Sequence, residues 1–197
     1  MALAIAFPFV SHADPPSDLS DEFCYGCQQL GLLVGDGFGV PIFGSRHREV
    51  DHTRVFGVFP RWSIGLADPL ARESFYEGNV DFGLEPLALF NFHPRGGWAA
   101  GARLLLRYNF LGTGGPIVPF IEGNGGVSYM KFRLDGQTDG FTYPLGLSIG
   151  LHALTSERTA WTSSLGFYHL SNAGRSYPNL GINGIILNVG FGAFNVL

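Results

Sequence analysis

The sequence predicts an all-β fold, an eight-stranded antiparallel transmembrane β-barrel, from three observations. The 197 residues include 46% hydrophobic and only 14% charged side chains, too few charges to cover the outside of a soluble barrel. The 29 Gly, 18 Phe and 7 Tyr favour pleated strands and tight turns over helices. Finally, eight stretches alternate with a period of two over about 10 to 13 residues, the length of a tilted membrane-spanning strand.

Charge and hydropathy exclude two other classes. Twelve Lys and Arg against 16 Asp and Glu give a net charge of -4, which is weak and of the wrong sign for binding a phosphate backbone, so nucleic acid is not a partner. The sequence contains no apolar run of about 18 residues, so a membrane-spanning helix is excluded on length.

The N-terminal residues resemble an export signal and a short leader to the barrel. An apolar stretch ends at Ser11-His12-Ala13, which is typical of a signal peptidase site, although no positive charge precedes it. We therefore interpret residues 1–13 as a signal peptide remnant, residues 14–29 as a periplasmic segment and residues 30–197 as the barrel. Cys24 and Cys27 lack the second pair that a zinc site needs, and export favours an exposed local disulfide between them.

The first four strands are predicted at residues 30–40, 54–66, 79–88 and 98–107. In the third, Phe82 and Leu84 face away from Asp81 and Glu85, as alternation requires. In the second, Pro60 interrupts the pattern and indicates a bulge. The fourth places its apolar residues opposite two charges, Arg103 and Arg107.

The last four strands are predicted at residues 120–130, 141–153, 161–171 and 184–194. Each has one apolar face and one small or polar face. The apolar faces carry Ile121, Val127 and Tyr129, then Leu145, Leu147 and Ile149, then Leu165 and Phe167, then Leu187, Val189 and Phe191.

Because the charged residues are few, the apolar faces are predicted to contact lipid and the polar faces to line the lumen. Glu85, Glu122, Arg103 and Arg107 then pair inside a plugged barrel without an open pore. The alternative, that Glu85 and Glu122 are the carboxylate pair of a glycosidase, is disfavoured by these neighbouring arginines. With both termini in the periplasm, the connections after odd-numbered strands face the cell exterior, and the short turn at residues 156–158 is periplasmic.

His169 and Ser171 are two residues apart, on the face of the seventh strand that is predicted to contact lipid. One explanation is that the strand has reached the polar headgroup zone, where such side chains are tolerated. The other is that they form the base and nucleophile of a serine hydrolase.

The segments YHLSNAG at residues 168–174 and PNLGIN at 178–183 resemble the signature of the lipid A 3-O-deacylase family, the PagL-like outer-membrane hydrolases. Weaker similarity lies in EGN and GLEP at 77–86, LRYNFL at 106–111 and PFIEG at 119–123. The resemblance implies an active site on the outer barrel wall, with Ser171 as nucleophile and His169 as general base. The family has a Glu as third member where this chain has Asn183.

Acyl transfer also needs donors to the developing oxyanion, each contributing roughly 2.7 to 4 kcal/mol. The resemblance implies Asn172, the backbone N–H of Gly174 and the side chain of Asn179 for this role. These residues are equally compatible with ordinary turn chemistry. The histidines show no spacing typical of a metal site, so neither a metal nor another cofactor is expected.

The hypothesis is therefore an integral outer-membrane esterase that removes an ester-linked acyl chain from lipid A in the outer leaflet. Asn183 keeps a second hypothesis open, because an amide cannot neutralise an imidazolium: a non-enzymatic or inactive barrel of the structural or adhesin type. A third is a soluble lipid-binding barrel of the lipocalin type. Whether the chain forms a homodimer is left open.

Overall fold

The computed structural model describes residues 22–41 and 49–195, and it is a closed barrel of eight antiparallel strands. The predicted fold class is confirmed. The proposed signal peptide remnant lies outside the described residues, as does the first part of the predicted periplasmic segment. No helix in the described ranges is long and apolar enough to cross a membrane.

The strands are 12 to 17 residues long, and all except the second, which ends one residue earlier, are longer than the alternation predicted. The alternation of apolar and polar side chains is weak near the strand ends, but backbone pairing between the strands continues there, as at the Asn91–Gly97 pair. The strands are β1 (Gln28–Gly39), β2 (Arg54–Gly65), β3 (Gly78–His93), β4 (Gly97–Phe110), β5 (Ile117–Lys131), β6 (Gly140–Ser156), β7 (Thr159–Ser171) and β8 (Ile182–Phe194), with a 3₁₀ turn at Glu49–His52.

Each strand pairs with its neighbours in sequence, and β1 closes the barrel by pairing with β8 from Gln29–Phe194 to Gly39–Gly184. The bulge predicted at Pro60 is wrong. Pro60 pairs in register with Leu32 of β1, and the β2–β3 register shift lies between Arg54 and Val55. Proline lacks the N–H for a ladder bond, but here it interrupts the ladder without adding a residue.

The apolar faces point outward and the polar faces point inward, as the sequence predicted. Leu106, Leu147, Ile149 and Leu187 are all exposed on the outer wall. This is the reverse of a soluble barrel, which buries its apolar face, so the lipocalin hypothesis is not supported.

Paired charges fill the middle of the lumen. Arg61 donates to Glu85 and, through Nη1 at 2.7 Å, to Glu122. Arg103 Nε donates to the other oxygen of Glu85, and Arg107 Nε lies 3.3 Å from Glu122. The four predicted residues therefore share one network. Arg61 was missed, because its neighbour Pro60 obscures the alternation of β2.

Apolar clusters cover this network at both ends. We call the end with the connections that follow β1, β3, β5 and β7 the loop end, and the opposite end the terminal end. Val50, Phe132, Leu170 and Ile182 pack at the loop end, and a cluster containing Phe23 packs at the terminal end.

The predicted Cys24–Cys27 disulfide is formed at the terminal end. It is half-buried rather than exposed. The reason is local: Gly65 N–H donates to Cys27 O at 2.9 Å and Gly26 N–H donates to Gly65 O at 2.9 Å, so the segment is held against the end of β2.

Candidate functional site

His169 and Asn183 are directly opposite each other on β7 and β8, near the loop end. Their side chains leave the outer wall in line with Phe167 and Leu187, because side chains two and four residues apart share a face. His169 is half-buried and Asn183 is only 4% exposed. The pair is therefore anchored by the sheet ladder and partly shielded from its surroundings.

The His169 Nδ1 and Asn183 Oδ1 atoms lie 2.8 Å apart. A carbonyl oxygen can only accept, so the ring donates its Nδ1–H, and in the neutral imidazole this leaves Nε2 as the acceptor. This is the tautomer that a general base needs. The amide orients the ring, but it brings no negative charge to stabilise an imidazolium.

Ser171 follows two residues later, at the last position of β7, and pairs with Tyr143 of β6. It is half-buried on the same face as His169. Among the described residues, no hydrogen bond joins the Ser171 hydroxyl to the imidazole. Hydrogen bonds of this type are often long without substrate and tighten only when it binds.

The connection after Ser171 is built around Asn172, which is buried. Its Nδ2 donates to Ser176 O at 2.9 Å, its Oδ1 accepts from Gly174 N–H at 3.0 Å, and its own N–H donates to Asn179 Oδ1 at 3.0 Å. Ala173 and Gly174 have positive φ angles of 54° and 77°. This loop therefore holds its shape through side-chain hydrogen bonds.

The three predicted oxyanion donors are gathered beside Ser171 but differ in availability. The Asn172 amide and the Gly174 N–H already donate within the loop. Asn179 uses its oxygen, and its Nδ2 has no hydrogen-bond partner in the described ranges. Asn179 Nδ2 is thus the donor that is open to a ligand without rearrangement.

A second loop, between β5 and β6, packs against this one. Gln137 Oε1 accepts from Gly181 N–H at 2.9 Å, and Gly136 O accepts from Leu180 N–H at 2.9 Å. Gly181 in turn lies against the imidazole: a Cβ on it would be 2.7 Å from His169 Cε1. Sequence reasoning missed Gln137, and it included Gly181 in the PNLGIN segment without a role. Neither residue carries chemistry of its own, and their contact spans 44 residues.

Charges join this second loop to the two remaining connections. Glu49 accepts from Arg95 Nε at 3.0 Å and from Asp135 N–H at 2.7 Å. The Asp135 N–H holds the pKa of the Glu49 carboxyl below its usual value, and Arg95 acts in the same direction against the opposing effect of burial. Glu49 therefore stays ionised at neutral pH, and this link is lost only as the pH falls through that lowered pKa.

An open apolar groove of about 620 Å³ lies on the same outer wall, lined in part by Ile121, Ile149, Leu165 and Leu187. Leu165 is four residues before His169 on β7, a separation of about 13 Å along the strand. The groove and the polar side chains thus lie on one wall, with apolar surface between them. In the part of the chain that the structure describes, no group of three or more His, Cys, Asp and Glu residues could hold a metal ion.

The model of one protein family, described as lipid A 3-O-deacylase (PagL), matches residues 55–192. The matched region includes His169, Ser171 and Asn183, and it covers well over half of the chain. A comparison with curated protein sequences gave no match.

Solved structures that are similar to the barrel include the following two. The crystal structure of the outer membrane enzyme PagL is 17% identical, with a TM-score of 0.56 over 86% of this chain and 99% of that one. The crystal structure of Neisserial surface protein A is 14% identical, with a TM-score of 0.54 over 87% of this chain and 99% of that one. At these identities the likeness concerns the fold.

Proposed function

Since the chain belongs to the lipid A 3-O-deacylase (PagL) family and is an integral barrel of the outer membrane, we propose that it hydrolyses an ester-linked acyl chain of lipid A. The family description indicates the 3-O position. The observation that carries the proposal is the hydrogen bond from His169 to Asn183 beside Ser171, on the wall that contacts lipid.

The reaction follows serine hydrolase chemistry. The Ser171 oxygen attacks the ester carbonyl carbon while His169 Nε2 takes the hydroxyl proton, and the alcohol of lipid A leaves with a proton returned by the imidazolium. Water then attacks the acyl-serine by the same route and releases a fatty acid. These steps use side-chain and backbone groups of this chain together with water.

Asn179 Nδ2 supplies a hydrogen bond to the oxyanion that forms on the carbonyl oxygen, a contribution of roughly 2.7 to 4 kcal/mol. The Gly174 N–H and the Asn172 amide reach the oxyanion only after releasing their partners in the loop. They form the rest of the proposed oxyanion hole.

The position of the site suits a substrate that stays in the membrane. With the loop end at the cell exterior, His169 and Ser171 lie at the level of the outer leaflet, where lipid A resides. The acyl chain then lies along the outer wall towards the groove near Leu165. Lipid A reaches the site by diffusing within its own leaflet.

Mass spectrometry of lipid A tests the proposal, after incubation with the refolded wild type and with Ser171→Ala. Loss of one hydroxyacyl chain with the wild type alone is expected. Hydrolysis retained by a correctly folded Ser171→Ala variant would remove Ser171 as the nucleophile. Heat-modifiable gel migration reports whether each barrel is folded.

One observation favours a second candidate function, a barrel that is not an enzyme. Asn183 cannot neutralise the imidazolium that forms during attack. In a serine protease, an Asn in place of the acidic triad member also favoured the wrong histidine tautomer and lowered turnover about 10⁴-fold. A folded wild type that leaves several lipid A species unchanged would support this structural or adhesin role. Homodimer formation is a separate proposal, which the oligomeric state in detergent tests.

A further inference from the structure

The side chain of Gln137 connects the loop between β5 and β6 to the backbone beside His169. Gln137 is 2% exposed, so its amide is shielded from solvent. Its Oε1 accepts the Gly181 N–H at 2.9 Å, in a buried hydrogen bond. Gly181 has no other acceptor for this N–H among the described residues.

Gly181 forms one wall of the space that the imidazole occupies. It has a φ of +71°, and a Cβ at this position would be 2.7 Å from His169 Cε1, 3.5 Å from Nδ1 and 3.6 Å from Nε2. The ring is therefore held between the Asn183 amide at Nδ1 and the Gly181 backbone along its edge. A shift of Gly181 away from β7 would let the ring rotate.

Gln137 is the side chain that fixes this wall. The neighbouring contacts between the two loops are made elsewhere: Leu180 N–H donates to Gly136 O, and both the N–H and the hydroxyl of Thr138 donate to Pro178 O. These bonds hold the loop as a whole. Among the described hydrogen bonds between these two loops, the one from Gly181 to Gln137 is the bond that holds Gly181, which lies against the imidazole.

We propose that Gln137 is a positioning residue for His169, acting through the Gly181 backbone. Its effect on catalysis rests on the proposed function, whereas its effect on the ring does not. Without the acceptor, the buried Gly181 N–H has no partner, Gly181 moves, and the imidazole is no longer confined to the Nδ1–H tautomer. Misplacement of a catalytic group by about 1 Å lowers turnover by up to about 100-fold.

Two substitutions of Gln137 distinguish the loss of its hydrogen-bond acceptor from a change in side-chain volume. Gln137→Leu keeps a similar volume without an acceptor, and Gln137→Glu keeps an oxygen where Oε1 lies. Thr138→Val is the matched control, because it removes a side-chain hydrogen bond between the same two loops without touching Gly181. Heat-modifiable gel migration confirms that each variant is folded.

The experiment measures the ¹⁵N resonances of the His169 ring in the full chain in detergent micelles, assigned by comparison with His169→Gln. We expect the Nδ1–H tautomer in the wild type, Gln137→Glu and Thr138→Val, and a mixture of tautomers or a broadened signal in Gln137→Leu. With lipid A as substrate, kcat of Gln137→Leu should fall roughly 10- to 100-fold, with little change in KM because Gln137 does not reach the outer wall groove.

Unchanged His169 resonances in folded Gln137→Leu would overturn the proposal, whatever the activity. An equal effect of Thr138→Val would overturn it too, because the loop contact as a whole would then be responsible. If the resonances change as expected but the wild type leaves lipid A intact, the positioning role stands and the proposed function fails.

Discussion

His169 Nδ1 and Asn183 Oδ1 are 2.8 Å apart across the β7–β8 pair, in the arrangement by which a serine hydrolase orients its base. The acceptor here is a neutral amide rather than a carboxylate. One acidic residue usually provides both orientation of the base and stabilisation of its charge, but in this chain Asn183 provides the orientation alone.

Replacing Asn183 with Glu should leave the deacylation rate at least equal to that of the wild type. A carboxylate accepts the same Nδ1–H and also stabilises the imidazolium. The loss of about 10⁴-fold caused by an Asn in a serine protease triad came from the wrong histidine tautomer, which Asn183 avoids here, so the gain should be smaller than that. Asn183→Leu, which has no acceptor, should lose activity. Rates of acyl release by the folded variants check both expectations, and a large loss in Asn183→Glu would contradict the assigned role.

Gly181→Ala should lower kcat roughly 10- to 100-fold by displacing the imidazole. A Cβ would come within 2.7 Å of His169 Cε1. Gly114→Ala is the control, because Gly114 also has a positive φ, +61°, and a Cβ added there would have no atom within 4 Å. In both variants the alanine adopts a left-handed backbone conformation, which costs about 1 to 2 kcal/mol. Equal activities of the two variants would show that the contact with His169 has no consequence.

Arg61→Met should destabilise the barrel by about 3 to 5 kcal/mol, because it leaves the buried Glu85 and Glu122 carboxylates short of a partner. Asp135→Asn removes an ion pair between two loops, from Arg95 to Asp135, whose side chains are 47% and 78% exposed, and it should cost less than about 1 kcal/mol. Urea unfolding in detergent compares the two. Similar midpoints would argue against a lumen network that supports the fold.

Cysteines introduced at Leu147 or Leu187 should be protected from a water-soluble maleimide in lipid vesicles. Both side chains are exposed on the outer wall and should be covered by acyl chains. Glu157→Cys, in the exposed β6–β7 turn, should react in the same vesicles. Cys24 and Cys27 are paired, so the background is low. Rapid labelling at Leu147 in vesicles would contradict the lipid-facing orientation.

The sequence predicted the fold through alternation, and the family resemblance singled out the His169–Asn183 pair. Alternation over strands of membrane length depends only on local residue types, and one hairpin register places His169 opposite Asn183. Gln137 and Arg61 could not be predicted in the same way. Gln137 lies in a loop without periodicity and contacts a residue 44 positions away. Arg61 follows Pro60, which obscures the alternation that would place Arg61 on the inward face of β2.

Closure of the barrel determines when Asn183 is held by both of its neighbouring strands. His169 and Ser171 belong to β7, whereas Asn183 lies near the start of β8. The barrel closes when β1 pairs with β8. The backbone carbonyl oxygen of Asn183 accepts the N–H of Val40, the residue just after β1, at 2.8 Å. In a chain whose barrel is still open, β7 alone holds Asn183. The last member of the site is fixed from both sides only when assembly is complete.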